Sequence, residues 1–157
     1  LFSDNDERAI FFAKGVVETV KKLNWAPDII HVHGWMASLL PLYIKEYYSD
    51  EPLFSESKIV TSVYDKDFEG SLNVGLVDKI KFDKISDDKI SILQEPNYTN
   101  IIKSAVSNSD AIVQGSSEIP EEIAEEIRNR DVPALSFQEE DSFESYLNFY
   151  KELISEE

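Results

Sequence analysis

The sequence predicts an α/β fold, a mainly parallel sheet covered by helices. Three short runs, Ile29 to Val32, Lys58 to Tyr64 and Ala111 to Val113, are too apolar for exposed strands and read as buried parallel ones. Between them lie segments whose apolar residues recur at helical spacing, so the order is helix, strand, helix, strand. At 157 residues the chain reads as one domain, 1–157, with residues 65–95 as an irregular insertion.

Asp4 with Glu7 three residues on makes a capping-box-like start. Ile10, Ala13, Val16, Val17, Val20 and Leu23 then define a helix to about Leu23. Trp25, Pro27 and Asp28 punctuate the turn into the first strand. Past Gly34, a second helix is marked by Leu39, Leu40, Tyr43, Ile44 and Tyr47, with Pro41 tolerable in its first turn. Lys58 to Tyr64 carries the β-branched residues Ile59, Val60, Thr61 and Val63. Residues 65–95 are broken by Asp, Asn and Gly around two apolar patches, Val77 to Phe82 and Ile90 to Leu93, and read as an excursion with one or two short helices.

Pro96 is a candidate first residue of the next helix, which carries Ile101, Ile102, Ala105 and Val106 and stops near Asn108. A third strand, Ala111 to Val113, runs into Gly115-Ser116-Ser117-Glu118, which either presents backbone N–H groups to an anion or, more simply, caps the next helix. Pro120, Ile123, Ala124 and Ile127 mark a fourth helix with Glu121, Glu122, Glu125 and Glu126 toward its positive end. A short strand, Ala134 to Phe137, precedes a terminal helix with Phe143, Tyr146, Leu147, Tyr150 and Leu153 on one face.

Fifteen Lys and Arg against 31 Asp and Glu give a formal charge of −16, which disfavours nucleic acid and anionic membranes as partners and leaves a neutral ligand such as a sugar unaffected. Without cysteine there is no disulfide, thiolate metal site or cysteine nucleophile. No run approaches the roughly 20 apolar residues of a membrane span, and the first residues are acidic, unlike a signal peptide, so a cytoplasmic protein is expected. The chain does not begin with Met and opens at the edge of a helix cap, which suggests that an N-terminal part is missing.

Chemistry is concentrated where the first strand gives way to a helix. In open parallel α/β sheets, ligands gather outside the carboxyl ends of the strands. Pro27-Asp28-Ile29-Ile30-His31-Val32-His33-Gly34-Trp35 places two imidazoles and an indole there. His31 and His33 alternate and share a face of a regular strand. They are either satisfied by backbone groups at the junction or turned to a ligand, whereas zinc would need further ligands that only carboxylates can supply here. Trp35 either caps the sheet end or stacks on a sugar ring. Asp65-Lys66-Asp67 is a solvated turn or a source of carboxylates. The spacing lacks the Gly and distal Glu of a calcium loop, and there is no Gly-rich phosphate fingerprint and no Gly-flanked nucleophilic serine.

These junctions together resemble the N-terminal, acceptor-side half of bacterial glycogen synthases and plant starch synthases. Asp4-Asn5-Asp6-Glu7-Arg8-Ala9 is similar to that family's Asp-Asn-x-x-Arg-Phe segment, and residues 27–35 to its Pro-Asp-hydrophobic-hydrophobic-His-x-His-Asp-Trp run. Leu40-Pro41-Leu42-Tyr43-Ile44-Lys45 follows as its next helix would, and Gly115-Ser116-Ser117-Glu118-Ile119 with Glu122-Ile123 tracks a later segment more weakly. The match covers about residues 3–127.

The resemblance implies a three-layer Rossmann-like domain, one lobe of a two-lobed glycosyltransferase fold. It implies transfer of glucose from a nucleotide sugar to the non-reducing end of an α-1,4-glucan, with no cofactor besides that co-substrate. Asp4 and His33 are implied as catalytic, and Asn5, Arg8, His31, Trp35, Tyr64 and Asp65 as substrate-binding. Two departures stand out: Gly34 replaces an Asp between His and Trp, and Val63-Tyr64-Asp65 replaces a strand end that reads His-Asn. The implied partners are an α-glucan or oligosaccharide and a second glycosyltransferase lobe. Because donor and acceptor meet across a cleft between lobes, this chain alone is expected to be inactive. The alternative is a non-catalytic single-lobe relative that binds a glucan or a partner protein.

Overall fold

The computed structural model describes residues 1–139 and 143–155. Helix α1 (Asn5–Lys22) leads into β1 (Ile29–His33), a single 3₁₀ turn (Trp35–Ala37) and α2 (Leu40–Leu42), which widens into a π-turn over Tyr43–Tyr47. There follow β2 (Lys58–Val63), α3 (Leu76–Phe82), α4 (Asp87–Ile90), α5 (Tyr98–Ser107), β3 (Ala111–Gln114), α6 (Glu121–Arg128), β4 (Ala134–Leu135) and α7 (Phe143–Ser155). The strands form one sheet in the order β1-β2-β3-β4, every pair parallel, with His33 opposite Ser62 and Val63 opposite Gln114. Among the described residues no helix is long and apolar enough to cross a membrane.

Strand alternation sorts the core into two sides. Ile30, Val32, Ile59 and Ile112 point toward α1, α2, α5 and α6, where Ala9, Ala13, Val17, Leu42, Ile101, Ile102 and Ile123 are buried. Ile29, Val60, Ala111 and Val113 point the other way, against Phe149 and Leu153 of α7. The result is three layers, with α7 forming the third among the described residues. The 65–95 segment carries α3 and α4 and sends Leu72, Leu76, Ile80, Ile90 and Leu93 into the first of these cores.

Charged contacts fasten this segment to α1. The Lys79 ammonium donates to Asp6 at 2.6 Å and Glu7 at 2.8 Å, and Lys14 donates to Asp83 at 2.6 Å. Asp83 also accepts from the buried Tyr43 hydroxyl at 2.7 Å, which together with burial pushes that phenol well above its ordinary range.

Several local expectations are corrected. Asp4 sits at the N-cap of α1 but makes no capping bond, because its carboxylate pairs with Arg8 one turn on and Glu7 with Lys79. The first helix ends where expected, with Leu23 as its C-cap, but Leu23 is exposed rather than on the packed face. The cap of α5 is Asn97, whose side chain accepts from Asn100 N at 2.9 Å; a side-chain acceptor satisfies an orphan N–H, which Pro96 cannot do. Gly115-Ser116-Ser117 does not cap α6, which begins after Pro120. Gln114 Nε2 instead donates to the carbonyls of Ser116 and Ser117 at 3.0 and 3.2 Å. In β4 only Ala134 and Leu135 pair. On α7, Phe143 and Leu147 are exposed while Phe149 is buried: the packed stripe is Tyr146, Phe149, Tyr150 and Leu153, spaced i, i+3, i+4, i+7.

Candidate active site

The carboxyl ends of β1, β2 and β3 meet around a hollow of about 290 Å³ bordered by Gly34, Trp35, Tyr64, Asp65, Tyr98 and Ser116. Its position follows from the parallel register, which carries all three chains out of the sheet at one edge. Gly34 makes the exit of β1 with φ 73° and ψ 158°, a backbone that is essentially restricted to glycine. A Cβ built on it meets nothing within 4 Å, so the restriction is conformational rather than steric against neighbours. The turn delivers Trp35 edge-on against Phe68, with ring centroids 5.1 Å apart, and Phe68 in turn packs edge-on against Tyr98 at 5.6 Å.

Two hydrogen-bonded junctions brace the floor. The Tyr98 hydroxyl is shared between the carbonyls of Tyr64 and Asp65, at 3.1 and 2.9 Å, and burial pushes its phenol up to about 12. Asp65 N donates to Ser116 Oγ at 3.2 Å, joining the end of β2 to the loop after β3. The Asp65 carboxylate accepts from Lys66 N at 2.7 Å.

His31 and His33 project from the same side of β1 as Ile29, with ring centroids 4.0 Å apart. His31 is engaged at both nitrogens: Nε2 with Ser62 Oγ at 2.7 Å and Nδ1 with the Tyr150 hydroxyl of α7. Burial, and then the neighbouring His33, lower its pKa from 6.5 to about 4. His33 lies at the open end of the pair, and burial also lowers its pKa. Its Nδ1 is 2.7 Å from the Tyr64 hydroxyl. Both rings are therefore neutral near pH 7. The histidine pair is satisfied by side chains, not by the backbone groups expected at a strand junction.

The candidates at the start of α1 stand apart. Asp4 and Arg8, 2.9 Å from each other, border a second and mainly apolar hollow of about 1000 Å³ along α1 with Phe11, Phe12 and Met36. Arg8 holds the Asp4 carboxyl below its usual range. Asn5 is buried. The structure thus brings His31, His33, Trp35, Tyr64 and Asp65 to one end of the sheet, with Asp4, Asn5 and Arg8 at the helix beside it. Among the described residues no three His, Asp or Glu side chains come together in a way that would hold a metal ion.

Sequence reasoning missed four contributors. His31 is reached by Tyr150 from 119 residues away and by Ser62 from 31 residues away. Phe68 and Tyr98 complete the aromatic wall around Trp35. One signal was available: β2 alternates, so Ser62 must share a face with Val60 and with the register partner His33.

The sequence is 32% identical to a glycogen synthase of Chlorobium luteolum over 135 residues, 86% of this chain and 26% of that protein. It is 32% identical over 125 residues to a glycogen synthase of Thermotoga petrophila and 30% over 120 residues to one of Clostridium perfringens, in each case 25% of that protein. The chain spans about a quarter of the length of the curated relatives it matches. No solved structure matches it. Residues 1–134 match the family model for the starch synthase catalytic domain, and the chain belongs to that family.

Proposed function

We propose that this chain forms the acceptor-side lobe of a glucosyltransferase of the glycogen and starch synthase type, moving glucose from a nucleotide sugar to the non-reducing end of an α-1,4-glucan. The observation that carries the reading is the hollow at the ends of three parallel strands. The Trp35 indole and the Tyr64 phenol border it with the carboxylates of Asp65 and Asp67 and a single ammonium, Lys66, which is paired with Glu69, and the neutral His33 imidazole is hydrogen-bonded to the Tyr64 hydroxyl. Such a wall suits an uncharged polyhydroxy ring: aromatic faces take its apolar side, and the carboxylates and polar groups at the rim take its hydroxyls.

In this reading His33 lies near the 6-hydroxyl of the transferred glucose, beside its anomeric carbon, and acts by positioning the sugar. Asp4 is the second catalytic group. Trp35, Tyr64 and Asp65 orient the sugar, His31 supports His33 from below, and Asn5 and Arg8 hold the helix terminus that presents Asp4. The nucleotide sugar is the co-substrate and requires no cofactor from this lobe. Its phosphates need a second lobe, because a single wall excludes too little water and supplies no cationic cradle.

The experiment compares glucose transfer to glycogen, from ADP-glucose and UDP-glucose, with glycogen binding by the same sample. The isolated chain is expected to bind and not to transfer, and transfer is expected once a donor lobe from a relative is supplied, with loss in His33→Ala. Transfer by the isolated chain, or full activity of His33→Ala in the two-lobed form, would overturn the reading.

A further inference from the structure

Tyr64 stands one residue beyond β2, and its ring lies against Gly115, one residue beyond β3. A Cβ built on Gly115 falls 2.4 Å from Cε1 of that ring and 2.8 Å from Cδ1 and Cζ. The backbone has no room to retreat, since Gly115 N donates to Val63 O at 2.7 Å and the carbonyls of Tyr64 and Asp65 are held by Tyr98. Glycine is needed here for space, its φ being unremarkable, unlike that of Gly34. From this seat the phenol reaches Nδ1 of His33 at 2.7 Å.

We infer that Tyr64 is a positioning residue for His33: its hydroxyl donates to Nδ1 and holds the neutral ring in the tautomer that carries its proton on Nε2. A neutral imidazole offers one acceptor nitrogen and one N–H, and a phenol O–H donates more strongly than the phenol oxygen accepts. Among the described residues Nδ1 is the only hydrogen-bond partner of the Tyr64 hydroxyl, so donation to it satisfies that proton. The consequence is directional. Nε2–H becomes a donor, matched to a ligand oxygen with a free lone pair such as a sugar hydroxyl, and mismatched to a cation or an N–H group. Gly115 acts through Tyr64 by leaving the ring its place.

The titratable groups against this ring are His31, tilted beside it, and Tyr64, while Tyr150 of α7 reaches the pair through His31. Neither imidazole is hydrogen-bonded to a carboxylate among the described residues. Burial lowers the His33 pKa, and the hydrogen bond from Tyr64 stabilises the same neutral form.

The functional meaning of this coupling rests on the sugar-facing reading of the hollow, but its test does not. The protein contains two histidines, so long-range ¹H–¹⁵N spectra resolve each ring directly. His33 is expected in the Nε2–H form. In Tyr64→Phe, which keeps the ring and loses only the hydroxyl, it is expected to become a mixture of tautomers with a pKa higher by roughly half a unit to one unit. Gly115→Ala, which displaces the ring, is expected to reproduce both changes, while the pattern of His31 stays as in the parent. An Nδ1–H form in the parent, or an unchanged His33 in Tyr64→Phe, would overturn the inference. Titration with maltoheptaose separates the two proposals: a locked tautomer with no response to the glucan upholds the coupling and removes the sugar reading, and the reverse result does the opposite.

Discussion

The hydroxyl of Tyr150, near the end of α7, is hydrogen-bonded to Nδ1 of His31 in β1, at the opposite end of the sequence. This contact ties α7, the only helix on its side of the sheet among the described residues, to the strand that delivers His33. Tyr150→Phe keeps the ring packing and removes the bond, so stability is expected to fall by about 1 kcal/mol. Urea unfolding of the parent and variant measures it, and equal midpoints would show that apolar packing docks α7 without help from the hydrogen bond.

Stability should depend on pH through the same ring. His31 takes up its proton near 6.5 when unfolded and near 4 when folded, so the unfolded chain binds more protons throughout that window. Stability from this group is complete above pH 6.5, declines as the pH falls toward 4 and levels off below. The His33 shift has the same sign. Thermal midpoints across this range are expected to slope less in His31→Gln than in the parent, and a parallel slope would assign the acid sensitivity to the carboxylates.

Gly34 tests how far this junction departs from the family pattern. Restoring the family's Asp by Gly34→Asp puts a side chain into open space but on a backbone that only glycine adopts readily. A loss of about 1–3 kcal/mol is expected by denaturant titration. A neutral outcome would mean that the exit of β1 relaxes without cost.

Lys79 should matter more than its surface position suggests. Its partner Asp6 is fully buried, and Oδ1 of that carboxylate has no hydrogen-bond partner among the described residues. Lys79→Met leaves the charge stranded and is expected to lower the thermal midpoint further than Lys66→Met, whose partner Glu69 is exposed. Adding Asp6→Leu to Lys79→Met should recover most of the loss, because the uncompensated charge is then gone.

The sheet was legible because its strands are written locally. Ile29 to Val32 and Ala111 to Val113 are apolar runs bounded by turn residues, and neither needs a distant partner to declare itself. The histidine junction and Trp35 were legible for the same reason. What escaped was set by contacts across the chain. Nothing near Gly115 announces that Tyr64 lies on it, and nothing near His31 announces Tyr150. At Asp4 and Pro96 local capping rules lost to an ion pair and to a better acceptor one residue away, and at Ser117 to a helix that starts only after Pro120. On α7, Phe143 and Leu147 extend a helical stripe in sequence, yet the sheet selects the stripe through Phe149.

The most direct test uses the two tryptophans as internal references, one at the strand-end hollow and one on the α1 hollow. In ¹H–¹⁵N spectra of the protein titrated with maltoheptaose, the indole signal of Trp35 and the ring signals of His33 are expected to shift together along one binding curve, with Trp25 unmoved. Shifts confined to Trp25, or none at saturating maltoheptaose, would contradict the claim that the strand ends form a sugar-facing wall.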